Sequence, residues 1–426
     1  MFKASVFACA GLRGAALCLA AACTGPEAPV PAQAGMDASL AGDEQAESRP
    51  PLNVPSRSPD IGTASPIPPP PPKAAPAFDA GAAPAADIPN PQMALDDDAG
   101  AIAQPDRPSS PTAGALPCTP NAYVSNSFAD SVSIIDTNTH TVIATVPTGS
   151  APVNPVFTPD RRKVYVSNSQ SNTLTVIDVE TNEVTTIPAG GSNPSGLAFS
   201  PDGNRLYVSL IADFVSPGAV LSIDLTTGVA SPPIPMGADP ERIALTPDGA
   251  RLYVNNLLDG TMAVIDTASA KVIATLNLGE LPFNPLLSPD GSVVYVGVMS
   301  ANHIAVIDTA TNQIVRTIPA DSPNGMTYSK DFESLFVSNA LSGTVQQVSL
   351  TTNMILKTAT VGGVPGNMAV LPDGKLAYMV RPDGSTVEIL DTSTLAIVDS
   401  IEVENGPTVV TVCRPAATSP TGSGAD

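Results

Sequence analysis

Residues of the types that usually carry out catalysis are scarce in this chain of 426 residues. It contains two histidines, His140 and His303, and neither has a histidine or cysteine nearby at the spacing of a metal site. No C-x-x-C-H sequence occurs, which excludes covalently attached haem, and no G-x-S-x-G sequence occurs to present a serine nucleophile. We therefore predict no catalytic residue, no metal ligand and no cofactor.

Polar side chains could instead bind a ligand. Asp239, Glu241 and Arg242 lie within four residues of one another, and carboxylates beside an arginine can hold a polar molecule or transfer protons. The candidate ligand-binding residues are Asn154, Asn193, Asp239, Glu241, Arg242, Asn284, Asn324, Asn367, Asn405 and Arg381, together with Asn126, Asn168, Asn256 and Asn339. The alternative, which we favour for the asparagines, is that they only close loops, because asparagine bonds the backbone and tolerates left-handed conformations.

The elements that would position these residues come from a repeat. A phrase that starts with an aromatic residue recurs at intervals of 41 to 46 residues: YVSN at 123, YVSN at 165, YVSL at 207, YVNN at 253, YVGV at 295, FVSN at 336 and YMVR at 378. In five of the seven copies an aspartate, as in VIDT, follows the aromatic residue by 13 positions. A turn phrase such as SPDG precedes the aromatic residue in most copies. A period of this length indicates stacked supersecondary units.

Each unit contains four short segments rich in Val, Ile and Leu, separated by turn residues. Examples are GLAF (196–199), RLYVS (205–209), TLTVID (173–178) and KVIATLNL (271–278). Asp-Gly after proline supplies tight turns between such segments. The pattern predicts an all-β fold over 118–416, a seven-bladed β-propeller with four antiparallel strands in each blade.

Two series of aspartates recur once in most units, so we expect them to bond the turns that follow them rather than a ligand. They are Asp136, Asp178, Asp224, Asp266, Asp308 and Asp391, and Asp160, Asp202, Asp248, Asp290 and Asp373. The candidate ligand-binding residues fall elsewhere. They lie in the loops that lead into the innermost strands and in the loops between second and third strands, which share one face of such a propeller.

The phrases Y-V-x-N, V-I-D-T and S-P-D-G resemble the YVTN family of β-propeller repeats, and the resemblance covers about residues 118–413. It implies a propeller fold and a likeness to periplasmic and surface-layer proteins. Structurally similar propellers include lactonases and haem or quinone enzymes, so the resemblance implies no single activity.

The ring is expected to close between its two ends. No complete innermost strand precedes Tyr123, whereas NGPTVVTVC at 405–413 resembles an innermost strand such as SNPSGLAFS at 192–200. We predict that this C-terminal strand completes the first blade. The same alignment puts Cys118 and Cys413 at positions i and i+2 of one turn, about 5–7 Å apart between Cα atoms, which is within disulfide range. We predict a Cys118–Cys413 bridge on the face away from the candidate residues; two free thiols are the alternative.

The first residues resemble an export signal. Residues 1–22 carry only Lys3 and Arg13 as charges and include GAALCLAAA, which is too short to span a membrane. The segment continues into LAAAC, which resembles a bacterial lipobox and would place a lipid on Cys23. The alternative is an ordinary signal peptide cleaved after Ala22 or nearby. Both predict export to a compartment where disulfides persist.

Residues 23–117 contain 21 of the 46 prolines and one aromatic residue. Such a segment cannot bury enough apolar surface to offset the entropy of ordering it, so we predict a disordered linker there, and a disordered tail over 417–426. The formal charge of −21 argues against a nucleic-acid partner.

The predicted function is an exported, lipid-anchored binding or scaffold module of the bacterial cell envelope. Its partner would be an envelope protein or glycan, and its only membrane contact the lipid anchor. We expect a monomeric propeller held at the outer membrane, facing the periplasm or the cell surface. The alternative is a lactonase-like hydrolase that uses the central channel.

Overall fold

The computed structural model describes residues 118–213 and 216–413 of the chain. These residues form seven four-stranded sheets in which neighbouring strands run antiparallel. The predicted all-β, seven-bladed β-propeller is confirmed. The predicted signal peptide (1–22), the linker (23–117) with Cys23 and the tail (417–426) lie outside the described residues.

Strands are numbered along the chain and the sheets are called blades 1 to 7. Blade 1 contains β1 (Asn121–Asn126), β2 (Ser131–Asp136) and β3 (Thr141–Pro147). Blade 2 contains β4 (Pro152–Phe157), β5 (Lys163–Asn168), β6 (Thr173–Asp178) and β7 (Val184–Pro188), and blade 3 contains β8 (Pro194–Phe199), β9 (Arg205–Leu210), β10 (Pro217–Asp224) and β11 (Ile234–Ala238). Blade 4 contains β12 (Pro240–Leu245), β13 (Arg251–Asn256), β14 (Thr261–Asp266) and β15 (Lys271–Asn277).

The remaining blades follow the same order. Blade 5 contains β16 (Pro282–Leu287), β17 (Val293–Val298), β18 (His303–Asp308) and β19 (Gln313–Pro319), and blade 6 contains β20 (Pro323–Tyr328), β21 (Ser334–Asn339), β22 (Thr344–Ser349) and β23 (Ile355–Thr360). Blade 7 contains β24 (Met368–Val370), β25 (Leu376–Arg381), β26 (Thr386–Asp391) and β27 (Ile397–Glu402), and the last strand, β28 (Pro407–Val412), is the innermost strand of blade 1. Over the described ranges one short 3-10 turn, Met299–Ala301, is the only helix, and no helix there is long and apolar enough to span a membrane.

The second and third strands of each blade form the buried middle of the sheets. In β5 and β6 the residues are almost all buried, as near-continuous apolar runs predict for sheets covered on both faces. Aromatic residues join neighbouring blades: Tyr165 of blade 2 packs edge-on against Phe199 of blade 3, with 5.1 Å between ring centroids. The hydrophobic core therefore lies between the blades as well as within them.

The recurring aspartates bond their own turns, as the sequence predicts. The Oδ1 atom of Asp178 accepts hydrogen bonds from the backbone N–H groups of Glu180 and Thr181, each at 3.0 Å. In blade 6, where serine replaces the aspartate, the hydroxyl of Ser349 accepts the corresponding bond from Thr352 at 3.1 Å. These side chains fix the turns between third and fourth strands.

The ends of the chain close the ring in the predicted manner. Strand β28 pairs antiparallel with β1, which places Val124 opposite Val410. A disulfide joins Cys118 to Cys413, with 5.3 Å between their Cα atoms. Both predictions are confirmed. The bridge links the end of β28 to the start of β1, on the same side of the ring as the SPDG turns.

Candidate ligand-binding site

The chain's antiparallel path gives the ring two distinct faces. One face, here called the mouth face, carries the connections between blades and the loops between second and third strands. The opposite face carries the SPDG turns, the aspartate turns and the disulfide. Each innermost strand begins at the mouth face. We define the mouth as the first three residues of each innermost strand together with the residue before that strand, and in blade 7 as the equivalent positions. These residues are 151–154, 193–196, 239–242, 281–284, 322–325, 364–367 and 406–409.

A left-handed backbone turn directs the chain into the mouth in six of the seven blades. The residues with positive φ there are Ala151, Asn193, Asp239, Leu281, Ser322 and Gly406. Asn193 shows how the turn is held: its carbonyl accepts the N–H of Ile211 at 3.0 Å and its Nδ2 donates to the carbonyl of Ala212 at 2.7 Å. The side chain of Asn193 therefore ties the connection into blade 3 to the loop between β9 and β10.

In the four blades that have it, the serine of the YVSN phrase bonds to the mouth segment of the next blade. The pairing register shifts between Pro194 and Leu197, a bulge that redirects the chain at this position. The hydroxyl of Ser209 accepts the N–H of Gly196 at 2.8 Å and donates to the carbonyl of Glu241 in the next blade at 3.1 Å. Equivalent pairs of bonds form at Ser167 and Ser338.

Most of the other asparagine candidates also serve the scaffold. Asn284 donates from Nδ2 to the carbonyl of Met326 at 3.0 Å, and the Oδ1 of Asn367 accepts the N–H of Val410 at 3.2 Å. Each of these bonds ties one innermost strand to the next. Asn324 is partly buried on β20. The carbonyl oxygen of Asn405 accepts the N–H of Phe128 at 3.3 Å.

The second set of asparagines differs in position from the sequence prediction. Asn126, Asn168, Asn256 and Asn339 are expected in loops, but they are the buried last residues of β1, β5, β13 and β21. Their amides bond hydroxyls on the third strands, and Asn168 donates to Thr173 at 3.1 Å and to Thr175 at 2.9 Å. These bonds hold the strand ends together, so the asparagines do not line the surface.

Arg381 is bound by its own blade. Its guanidinium donates to the carbonyls of Gly362 and Val361, the latter at 2.8 Å, and its Nε lies 3.5 Å from Oε1 of Glu388. Only 8 % of the residue is exposed. The arginine thus supports the loop that leads into blade 7.

Three of the charged candidates, Asp239, Glu241 and Arg242, lie together at the start of the innermost strand of blade 4. Asp239 precedes β12, and Glu241 and Arg242 are the second and third residues of β12. The Nη1 atom of Arg242 donates to Oδ1 of Asn154 in blade 2 at 2.7 Å. This hydrogen bond therefore joins blades 4 and 2, which are separated by blade 3. Blade 3 has Gly196 at the equivalent position, where a Cβ atom would lie 2.7 Å from the carbonyl oxygen of Glu241. Glycine therefore permits the close approach of β12.

The two carboxyl groups of this set have no hydrogen-bond partners for their buried oxygens. Asp239 is 3 % exposed, and its Oδ1, like Oε2 of Glu241, is buried without a partner among the described residues. Burial, and then repulsion from Glu241, raise the pKa of Asp239 to about 8. Burial also raises the pKa of Glu241, which the charge of Arg242 partly offsets. At neutral pH the pair therefore carries a proton.

An apolar cluster lies beside the charged group on the mouth face. Its buried members are Leu257, Phe283, Met299 and Ala340, and Leu281 and Val364 pack against them. The cluster and the charged residues are joined through the backbone, because the N–H of Leu257 donates to the backbone carbonyl of Asp239 at 2.8 Å. Leu258 and Leu341, which follow two of its members in the chain, are 38 % and 44 % exposed. The mouth face thus has an acidic group next to a largely buried apolar cluster, with two exposed leucines beside it in the chain.

The two histidines lie outside the mouth. His140 is on the opposite face, where its Nδ1 lies 2.7 Å from the hydroxyl of Tyr378 and joins blade 1 to blade 7. His303 starts β18, and its Nδ1 lies 3.2 Å from the carbonyl oxygen of Ala301 in the preceding turn. Over the described residues no group of three or more His, Cys, Asp or Glu side chains has the arrangement of a metal site.

Sequence reasoning missed two features of this site. The bond between Asn154 and Arg242 joins residues 88 apart in blades that are not neighbours, so no repeat alignment indicates it. The apolar cluster did leave a signal, because Leu281 and Phe283 occupy mouth positions where blade 4 has Asp239 and Glu241. Comparing blades position by position could have found that contrast.

Solved structures with the same fold have varied functions. Hydrazine synthase from Kuenenia stuttgartiensis is 21% identical, with a TM-score of 0.58 over 66% of this chain and 95% of that chain. A functionally unknown protein from Desulfotomaculum acetoxidans is 16% identical, with a TM-score of 0.59 over 69% and 99% of the two chains. A putative 6-phosphogluconolactonase from Bacteroides fragilis is 17% identical, with a TM-score of 0.55 over 69% and 97%. At these identities the likeness shows the fold alone.

Sequence comparison gives one match. Residues 100–214 match a family described as YNCE-like β-propellers, and a comparison with curated protein sequences finds no match. The family match and the seven sheets confirm the resemblance to β-propeller repeat proteins. The chain is a seven-bladed β-propeller, and its residues 100–214 are similar to the YNCE-like β-propeller family.

Proposed function

We propose that the propeller is a binding or scaffold module of the bacterial cell envelope and that it binds its partner, an envelope protein or glycan, at the mouth face. One observation carries the proposal: the charged residues of blade 4 and the apolar cluster meet at the mouth, and the carboxyl groups there lack partners. Binding sites typically combine an apolar surface with a few placed polar groups.

The disulfide supports the proposed export. Disulfides persist in oxidising compartments such as the periplasm and are rare in the cytosol, and Cys118 and Cys413 form one that locks the ring. The LAAAC sequence supports a lipid anchor at Cys23. Because Cys118 lies on the opposite face, a linker that ends there would leave the mouth face pointing away from the anchoring membrane. Cys23 is followed by Thr24 rather than by an aspartate, and we propose outer-membrane attachment on this basis.

The geometry offers less support for a lactonase-like hydrolase. Of the charged candidates, Arg381 is held by backbone carbonyls and Glu388. The others come from a single segment of blade 4, and Arg242 already donates to Asn154. The likeness to a putative lactonase supports only the fold.

Affinity capture from an envelope fraction tests the proposed function. The full-length chain and its Glu241→Gln variant would be used as bait, with Asp321→Asn as the matched control, because Asp321 is an exposed acid in another connection on the mouth face. We expect an envelope protein or glycan to be retained by the wild type and the control and reduced in Glu241→Gln. Equal retention by all three baits would contradict a role for the mouth.

Fractionation of cells tests the anchor separately. We expect the wild-type chain in the outer-membrane fraction and the Cys23→Ser variant in a soluble or uncleaved form. A wild-type chain that stays in the cytosol would contradict the proposed export, whatever the result of the capture experiment.

A further inference from the structure

We propose that the mouth binds a primary ammonium or guanidinium cation on an aliphatic stem, with the cation between Asp239 and Glu241 and the stem on the apolar cluster. The inference rests on the proposed binding role of the mouth and names the chemistry of what binds there. Its evidence is the unpartnered carboxyl oxygens, the adjoining apolar surface and the charge of the chain.

The unpartnered oxygens are the first observation. Asp239 is 97 % buried, yet neither its Oδ1 nor Oε2 of Glu241 accepts a hydrogen bond from the described residues. Several buried amide oxygens, such as Oδ1 of Asn168 and Asn256, also lack a partner, but those of Asp239 and Glu241 are the only carboxyl oxygens so placed among the described residues. A buried carboxyl group costs more than an amide when it is left unbonded, so the pair requires an explanation. By contrast, the recurring Asp391 accepts four hydrogen bonds, two from Ser393 and two from Thr394. The pair at the mouth lacks donors, and an ammonium or guanidinium group supplies several.

A bound proton explains how the fold tolerates the pair. Burial and the charge of Glu241 both disfavour ionisation of Asp239, so the two carboxyl groups are not both ionised cheaply and one of them keeps a proton. A bound cation would replace that proton. The exchange balances: the pair starts with one proton and one negative charge, binds a cation, and releases one proton to the buffer.

Neighbouring strands bring no competing charge to the pair. Strands β8 and β16, which pack on β12, have no ionisable side chain. The ionisable residues of β9, β10 and β13 lie toward the opposite face: Arg205, Tyr207, Asp224, Arg251 and Tyr253. Two other charged neighbours are Arg242, which donates to Asn154 and whose charge also acts on Glu241, and Asp259, whose Oδ2 accepts the N–H of Ala238 at 2.7 Å.

The apolar cluster and the net charge define the rest of the ligand. Leu257 links the cluster to Asp239 through a backbone bond, so an aliphatic stem attached to the cation can lie on the partly exposed Leu281 and the exposed Leu258. Long aliphatic stems with charged ends bury in this manner. The chain carries a formal charge of −21, which attracts cationic ligands over a distance. Lysine or arginine side chains of a partner protein carry both parts.

Calorimetry with a simple probe tests the inference on the full-length chain. The probe is hexylammonium, and 1-hexanol and hexanoate, which have the same carbon stem, are the controls. We expect saturable binding of hexylammonium alone, with release of about one proton, read from heats in two buffers of different ionisation enthalpy. Because Asp239 has a pKa of about 8, affinity should fall about tenfold per pH unit on lowering the pH from 7.5 to 5.5.

Substitutions of Asp239 and Glu241 test whether these two carboxyl groups bind hexylammonium. We expect Asp239→Asn and Glu241→Gln each to weaken hexylammonium binding about tenfold or more, because each removes a charge-assisted hydrogen bond. Asp321→Asn should change it less than about twofold, and circular dichroism would establish that every variant is folded.

Several results would overturn the inference. They are the absence of hexylammonium binding by the folded chain, equal binding of hexanol, binding without proton release, and unchanged binding in Asp239→Asn. Binding of calcium with no binding of hexylammonium would replace the amine site with a metal site. If the probe fails while envelope capture still depends on Glu241, the proposed function stands and only the ligand chemistry is wrong.

Discussion

Aspartate side chains occupy opposite environments on the two faces of the ring. On the opposite face Asp391 is partly exposed, and hydrogen bonds from Ser393 and Thr394 hold its pKa below the ordinary value. The pKa values of Asp224, Asp266 and Asp308 are lowered in the same way. At the mouth Asp239 is buried without partners and its pKa is raised to about 8. The two faces therefore respond to pH in opposite directions.

The contrast separates structural from functional use of one residue type. An aspartate that recurs in nearly every blade bonds its own turn, and its carboxylate is satisfied there. Asp239 occurs once among the mouth positions, where other blades have alanine, asparagine, leucine, serine, valine or glycine. A single departure from the repeat, left without hydrogen bonds, is the better guide to a binding site.

Removal of the disulfide is expected to cause the largest loss of stability. Cys118 and Cys413 are 295 residues apart, and closing a loop of that length contributes about 5–6 kcal/mol in the chain-entropy model. The Cys118→Ser/Cys413→Ser variant should lose stability of that order in urea unfolding. Wild-type protein with a reductant is the matched control and should behave like the variant. A variant as stable as the oxidised wild type would show that the opposite face does not lock the ring.

Asp239→Asn is expected to have the second largest effect, and its sign depends on pH. Since the folded-state pKa of about 8 lies above the ordinary value, folding takes up a proton, and stability falls as pH rises from 4 toward 8. One pKa unit corresponds to about 1.4 kcal/mol, so the loss between pH 4 and pH 7 is on the order of 4 kcal/mol. The variant should lose this slope.

Urea unfolding at pH 4, 5, 6, 7 and 8 measures that slope. Asp321→Asn should retain the wild-type dependence, because this exposed acid lies on the same face but outside the pair. If Asp239→Asn and the wild type showed the same dependence, the mouth carboxyl would be ordinary and the contrast between the faces would disappear.

Replacing Ser209 or Ser167, which each bond to the mouth segment of the next blade, should reduce stability by similar amounts. The two substitutions should differ in their effect on ligand binding at the mouth. Ser209→Ala leaves the N–H of Gly196 and the carbonyl of Glu241 without this partner, at a cost of about 1–3 kcal/mol. Ser167→Ala removes the equivalent bonds to Asn154 and Ser195. Only Ser209→Ala should also weaken hexylammonium binding, since it frees the backbone of Glu241. Equal effects of both variants on hexylammonium binding would show that the hydrogen bonds of Ser209 do not position the carboxyl pair.

Asp391→Asn should produce the smallest change, with the opposite dependence on pH. The pKa of Asp391 is lowered by its turn, so its contribution is present above the ordinary pKa and is lost as the pH falls through the folded-state value. The wild type should therefore lose slightly more stability than the variant between pH 5 and pH 2. Unfolding midpoints across that range test the direction; a reversed difference would contradict it.

The sequence predicted the scaffold because the scaffold repeats. Seven phrases specified the blades, and the missing strand before Tyr123 specified how β28 and the disulfide close the ring. The mouth was less accessible to such reasoning, because its chemistry depends on contacts between blades. Whether an asparagine binds a ligand or a neighbouring carbonyl depends on backbone positions, as Asn284 and Met326 show. The bond from Arg242 to Asn154 has no counterpart in the repeat.

The most direct test of this account is a carboxyl NMR titration of the chain labelled with carbon-13 at its aspartate side chains. We expect one aspartate to titrate near pH 8, its signal to be absent from Asp239→Asn, and Asp224, Asp266, Asp308 and Asp391 to titrate below their ordinary pKa. If every aspartate in the folded chain titrated below pH 5, the mouth and the opposite face would not differ, and the account would be contradicted.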